Sequence, residues 1–516
     1  MRHSFLVALS FANICYLRVW GEVLTYRRWD TYLMTTPPRP VEYLALVTNV
    51  VLAASVLTAL SVLVQRVLPG KQFRFAEMAV VLGICIPLNA LRSVLSIQFP
   101  VLKSPLIELL GMRGVLILGA CLAIALLIAV VFFHKKLAHA IILVLAALSP
   151  FCAVTFGQAA WKAAHYDATA YRNKPPAPRI ARAGGLARVL WVIADEWDYR
   201  LTFVDRNPSL MLPEIDRLRS TSLYADDAYP PGLETPISIP GYYSGKLVSH
   251  VLYDGARELV VAYSGDPREV PWSTQPSVFD AARALGANTA LLEWFHPTCR
   301  VLNSLNYCKW WPMAMQHNSM GDSFWQILPN QTRSLFETNL LSLFGRSSLA
   351  GEQQTRVYRA IMREAERLSV DRDFDFTVVH LPIPHAPHAY NRKTGTFTLS
   401  NSPIAGYIDS LALLDRSVGE LRRTMENAGV WDSTTLLFTS DHPYREAEQL
   451  DGKRDPRIPY ILKLAGQKEA VAYTQQFNTV LTADLLLGVL RGEITDPASA
   501  TAWLDQNRAN RARSLR

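Results

Sequence analysis

The chain has 516 residues and a formal net charge of +8, long enough that two or three units are expected rather than one domain. Residues 1–160 hold 13 Lys+Arg against 5 Asp+Glu, and the remainder carries 39 of each, so the whole excess lies in the first third. There it falls between hydrophobic stretches, where Lys and Arg mark membrane topology, and a nucleic-acid partner is not expected.

In chain order, five segments read as membrane helices: Ser4–Trp20, Tyr43–Gln65, Met78–Leu91, Gly114–Phe133 and Leu137–Trp161. Tyr43–Gln65 has no charge over 23 residues, enough to cross about 30 Å of hydrocarbon. Ser4–Trp20 has the length of a signal peptide, but no small-residue cleavage site follows it, and it reads as a retained helix. The basic residues on the two sides of these spans nearly balance, so charge alone does not orient them. Cys15, Cys85, Cys121 and Cys152 fall within spans and read as small apolar packing residues.

Residues 162–187 carry Pro175, Pro176, Pro178 and Gly184-Gly185 and read as a juxtamembrane linker between a 1–161 transmembrane domain and a catalytic domain over 188–490. From Arg188 onward, short apolar runs alternate with amphipathic stretches. Val189–Ala194, Thr289–Leu292, Phe376–His380 and Thr434–Thr439 read as strands, and Ser277–Leu285, Gln354–Leu368 and Ile408–Ala428 as helices. Such alternation implies an α/β domain with a largely parallel central sheet, whose ligand site lies beyond the carboxyl ends of the strands. Cys299 and Cys308 read as a disulfide in an oxidising compartment and as two buried thiols otherwise. The disulfide reading is favoured and places the domain outside the cytoplasm. Residues 491–516 read as a basic tail, disordered over Asn507–Arg516.

Chemistry concentrates at the strand ends. Asp195-Glu196 closes the first apolar run and Asp441-His442 the last, which offers carboxylates and an imidazole to a shared cation. Either acid pair would alone be as well explained as a helix cap. Thr235 opens Thr235-Pro-Ile-Ser238-Ile-Pro240, a helix start, and its hydroxyl becomes a nucleophile once a metal or base takes its proton. His380, His385 and His388 flank Pro382 and Pro384, a rigid setting for imidazoles that bind phosphate or protonate a leaving group.

Together these motifs resemble the alkaline phosphatase/sulfatase superfamily. Thr235-x-x-Ser238-x-Pro240-x-x-x-Ser244, His380-x4-His385-Ala-Pro387 and Tyr407–Leu414 with Asp409 are similar to the motifs of membrane-anchored bacterial phosphoethanolamine transferases. The resemblance implies Thr235 as nucleophile and metal contact, with Glu196, Asp441 and His442 as ligands. His385 and His380 would then act on the phosphoryl or leaving group. Paired acids like those of sulfatases add Asp195 as a ligand, with Zn or Mn as the metal, or else Ca or Mg. It further implies a phospholipid donor, a cell-envelope acceptor, and a multi-pass protein of the bacterial inner membrane with its catalytic domain on the periplasmic side. The chain departs from the pattern in having Gly241 where those transferases usually have Cys, and no histidine after His442, so Lys453 or Arg457 would bind the anion. Three readings follow: a phospho-alcohol transferase, a hydrolase of the same superfamily, and a non-catalytic membrane scaffold. An ordinary sulfatase is disfavoured, because its nucleophile derives from Cys or Ser and Ile239 stands where its Arg belongs.

Overall fold

The computed structural model describes residues 2–67, 73–94, 105–181, 185–313, 320–337, 348–398 and 403–512. The chain forms two compact units. The first comprises Met1–Tyr26, Pro38–Asp167 and Met320–Arg346, and the second Arg27–Pro37, Ala168–Ser319 and Ser347–Arg516.

The first unit is helical. Pro40–Val67, Arg74–Arg92 and Ile117–Ala164 are long and apolar enough to cross a membrane, and the pair Phe5–Cys15 and Leu17–Leu24, bent by 61°, would make a fourth span. Many of their large apolar residues face outward, Phe132 being 75% exposed. The count differs from the five expected. Gly114–Phe133 and Leu137–Trp161 run through one apolar stretch of 48 residues, because His134-Lys135-Lys136 contains no helix breaker and stays helical. Sequence polarity suggested a loop there; backbone propensity decides otherwise.

The second unit is built on an eight-stranded sheet. Its strands are β1 (Arg188–Ala194), β2 (Leu223–Ala225), β3 (Thr289–Trp294), β4 (Tyr307–Trp311), β5 (Phe376–Leu381), β6 (Thr434–Ser440), β7 (Tyr460–Lys463) and β8 (Val471–Tyr473), in spatial order β8-β2-β7-β6-β1-β5-β3-β4. The run β6-β1-β5-β3-β4 is parallel throughout, and β7 is antiparallel to both β6 and β2. The central strands are buried on both faces, which explains why their sequences lack the apolar–polar alternation of a half-exposed strand. The helix Ser348–Val370 contains the expected Gln354–Leu368, and Pro403–Asn427 covers the expected Ile408–Ala428 except its last residue. Linker residues are stitched to the sheet edge: Lys174 N–H donates to the Cys299 carbonyl at 2.9 Å and Ala177 N–H to that of Leu305 at 2.8 Å. The expected disordered tail is helical as far as Ala512, with Ala500 and Leu504 buried, and its last four residues lie outside the described ones.

Candidate active site

Register brings the acids together. β1 pairs with β6 through Ala194 and Ser440, so the next residues, Asp195 and Asp441, leave the sheet side by side. On the other flank of β1, His380 of β5 lies opposite Ile193. The helix Thr235–Ser244 covers this edge. Its Tyr242 hydroxyl donates to the Ser440 carbonyl at 2.7 Å, and the rings of Tyr242 and Tyr243 stand edge-on to Trp191 of β1. Gly241 lets the helix approach: a Cβ there would lie 2.9 Å from Pro231 Cβ and 3.3 Å from the Lys246 carbonyl oxygen. Neither neighbour yields easily, so Gly241→Ala is expected to cost about 1–3 kcal/mol, measured as a lowered urea midpoint.

This docking puts the Thr235 hydroxyl among the charged groups. Its Oγ1 donates to Asp195 Oδ2 at 3.1 Å and lies 3.3 Å from His442 Nε2. The His442 Nδ1–H donates to the Pro443 carbonyl at 2.9 Å, which turns Nε2 toward Thr235 and the Asp441 carboxylate, 3.5 Å away.

The donor atoms of Asp195, His380 and Asp441 all lie within 4.8 Å of one another, and all three residues are fully buried. Asp195 Oδ1, Asp441 Oδ2 and His380 Nε2 have no hydrogen-bond partner. Their near contacts are ion pairs at 3.5 Å, His380 Nε2 to Asp195 Oδ2 and His442 Nε2 to Asp441 Oδ2. So many polar atoms without a hydrogen bond in one buried group are costly unless something binds them, and the set fits a divalent cation with mixed oxygen and nitrogen ligands, such as zinc or manganese. The electrostatics agree. Burial alone would raise the Asp195 carboxyl, but the imidazoles of His385, His380 and His442 outweigh it and hold the group well below the carboxylate range. Burial, and then the charge of Asp195, push Asp441 the other way.

The cluster differs in membership from the sequence reading. His380, expected to act on substrate, stands with the two aspartates. Glu196, expected as a ligand, stands outside this group of three, with a backbone φ of +63°. Its N–H donates to Asp441 Oδ1 at 3.2 Å, its carbonyl accepts from Tyr407 at 2.8 Å, and its carboxylate pairs with Arg445 Nε at 2.7 Å. Arg445 Nη2 also reaches His385 Nε2 at 3.2 Å, so this half-exposed guanidinium is the cation beside the loop histidine. Lys453 and Arg457 are not brought there: Lys453 pairs with Asp205 at 3.4 Å and Arg457 with Asp455 at 2.6 Å. His388 lies 3.2 Å from Ser410 Oγ, against Tyr407 and Tyr444. Cys299 and Cys308 are bonded, with Cα atoms 5.6 Å apart, and join the short helix Thr298–Val301 to β4.

Sequence reading missed the groups behind the cluster. Glu293, at the end of β3, holds His380 Nδ1 at 2.5 Å and accepts from the Tyr243 hydroxyl at 2.7 Å. Carboxylate, imidazole and tyrosine are all fully buried. A carboxylate on Nδ1 aims Nε2 into the cluster, as in carboxylate–histidine–metal triads. Glu293→Gln keeps the volume and removes the charge, and is expected to weaken zinc or manganese binding about 10–100-fold in calorimetric titration. A second chain supports the nucleophile. Burial lowers the His296 pKa to about 3, so the ring is neutral. Its Nε2–H donates to the Thr235 carbonyl at 3.3 Å, and its Nδ1 lies 3.3 Å from the Tyr32 hydroxyl as acceptor. Only a preceding strand end hinted at Glu293, and nothing in the sequence links Tyr32 to His296, 264 positions away.

Residues 187–490, which carry this edge, match the family model described as Sulfatase. The chain belongs to the sulfatase family. Members of this family are metal-dependent phosphoryl or sulfuryl hydrolases. Solved structures similar to the chain include a sulfatase from Pseudoalteromonas sp., with 17% identity, 60% of this chain and 69% of that one covered, and a TM-score of 0.40. The phosphonate monoester hydrolase of Agrobacterium radiobacter has 15% identity, coverages of 60% and 78%, and a TM-score of 0.38. An alkaline phosphatase superfamily protein from Vibrio parahaemolyticus has 13% identity, coverages of 60% and 68%, and a TM-score of 0.38. A comparison with curated protein sequences finds no significant match.

Proposed function

We propose that this sulfatase-family chain is a membrane-anchored, metal-dependent transferase that moves a phospho-alcohol group from a phospholipid, through Thr235, to an acceptor in the bacterial cell envelope. The observation that carries the reading is the Thr235 hydroxyl, hydrogen-bonded to Asp195 and 3.3 Å from His442 Nε2, beside the buried group Asp195, His380 and Asp441. A divalent cation held by Asp195, His380 and Asp441 would acidify that hydroxyl and offset negative charge on the phosphoryl oxygens. Thr235 Oγ bonds to phosphorus as the bond to the diacylglycerol oxygen breaks. Burial would lower the His442 pKa, but Asp441, Asp195 and Glu196 outweigh it and raise it. A cation that offsets this carboxylate charge would let Nε2 accept the Thr235 proton, while Asp195, held far below the usual carboxylate range, orients the hydroxyl. Arg445, whose Nη2–H donates to His385 Nε2 in the free site, would bind the phosphoryl oxygens and free that nitrogen to relay a solvent proton to the departing oxygen. An acceptor hydroxyl or phosphate then attacks phosphorus as the bond to Thr235 Oγ breaks. His385 takes any proton the acceptor loses, His442 returns one to Thr235, and the product leaves.

Threonine is itself informative, since the aldehyde nucleophile of ordinary sulfatases derives from Cys or Ser. The helices long and apolar enough to cross a membrane suit a donor that stays in the bilayer, in a multi-pass protein of the inner membrane. The Cys299–Cys308 bond favours the oxidising periplasmic side for the second unit. Product analysis tests the reading. The full chain, in vesicles carrying labelled phosphatidylethanolamine or phosphatidylglycerol, is expected to form diacylglycerol and to pass the label to added envelope lipid. Free phospho-alcohol released at the same rate without acceptor would instead identify a phosphodiesterase, and no diacylglycerol from either lipid would exclude both donors.

A further inference from the structure

The helix Phe324–Phe336 interrupts the second unit in sequence, between β4 and Ser348–Val370, yet belongs to the first. Its inner face is built into that unit. Ile327 is fully buried with Ala45 and Met320. A polar seam runs beside them: Asn49 Nδ2 donates to the Leu328 carbonyl at 2.9 Å and to Gln331 Oε1 at 3.1 Å, and Gln331 Nε2 donates to the Glu42 carbonyl at 3.0 Å. Thr332 Oγ1 donates to Asn49 Oδ1 at 3.1 Å and shares a 2.8 Å hydrogen bond with the Tyr16 hydroxyl. These bonds fix the helix opposite Glu42 to Asn49, the first turns of Pro40–Val67, a rise of about 10 Å.

The outer face is unlike that of a soluble helix. Trp325 is 78% exposed and Phe336 is 55% exposed. Eleven residues make about three turns, so the two rings project on one side, with exposed Pro329 between them. Single exposed aromatics are ordinary, but a pair on one face is less so. Here the pair stands on a helix packed against Pro40–Val67, which has the composition of a membrane span and whose own Leu44, Val51 and Leu52 are exposed. Aromatic rings beside the end of a span fit the boundary between lipid headgroups and acyl chains.

We propose that Phe324–Phe336 is an interfacial helix that inserts Trp325 and Phe336 into a phospholipid bilayer beside the start of Pro40–Val67. The catalytic chain then touches the membrane a second time, midway through its sequence, whatever reaction it performs. Site-directed spin labelling tests this. The full chain, with Cys85→Ser and Cys121→Ser to remove its exposed thiols, is labelled at Trp325→Cys or Phe336→Cys in vesicles of phosphatidylethanolamine and phosphatidylglycerol at 3:1. Labels at both positions are expected to be relaxed several-fold more by oxygen than by a water-soluble nickel chelate, with a Lys393→Cys label as the aqueous reference. Accessibilities equal to that reference overturn the proposal, and so does dipolar broadening between copies, which would make the occupant a second chain. Should labelling disturb the fold, Trp325→Phe serves instead: doxyl-lipid quenching of tryptophan emission is expected to fall relative to wild type, and unchanged quenching overturns the proposal.

Discussion

Thr235→Ala is expected to lower phospholipid turnover by on the order of 10³-fold or more, with fold and cation binding retained. The substitution removes the hydroxyl placed between Asp195 and His442, while the backbone carbonyl held by His296 remains. Stability should change by about 1 kcal/mol, the ordinary worth of a lost side-chain hydrogen bond. Thr235→Ser restores the nucleophile without the methyl group and should recover most of the rate. The check is diacylglycerol release by wild type and both variants, with melting temperatures measured alongside. A Thr235→Ala protein that turns over normally removes Thr235 from the chemistry.

Asp441→Asn is expected to show a crossing effect on stability. A zinc or manganese ion at about 100 times its Kd should stabilise the wild type by about 2.7 kcal/mol, and the variant hardly at all. Without cation the order reverses. Burial and Asp195 raise the Asp441 pKa above its unfolded value of about 3.9, so the group contributes stability at low pH and loses it as pH rises through its native value. At pH 7 the cation-free fold therefore carries a destabilising charge that Asn removes. Asn Oδ1 can still accept from the Glu196 and His442 amides, which Asp441 Oδ1 meets at 3.2 and 2.9 Å. The variant should melt above the wild type in chelator at pH 7 and lose that advantage below about pH 4. Melting curves at both pH values, with and without metal, decide it. A metal-induced shift that survives in Asp441→Asn would place the ion elsewhere.

The parts of the site legible in the sequence are those in which one short stretch states both position and chemistry. Thr434–Thr439 predicts a buried strand and Asp441-His442 its end, because a Leu-Leu-Phe centre gives way to charged residues. Thr235 followed from Pro236 and the helix-start pattern. Glu196 was misplaced because its carboxylate pairs with Arg445, a contact that composition does not announce. Glu293, Tyr243, His296 and Tyr32 were invisible because each is one residue, contributed by an element distant in sequence, and only strand order brings them together. Lys453 and Arg457 drew attention by charge alone, but carboxylates beside them already occupy that charge. The span count failed because His134-Lys135-Lys136 is polar enough to suggest a loop and regular enough to remain helix.

The most direct test is the mass of the full chain after brief exposure to phosphatidylethanolamine or phosphatidylglycerol in the presence of manganese or zinc, followed by an acid quench. The proposal predicts an added phospho-alcohol mass localised to Thr235, absent from Thr235→Ala and discharged when acceptor is supplied. Turnover with no adduct on Thr235, or an adduct that persists in Thr235→Ala, would contradict it.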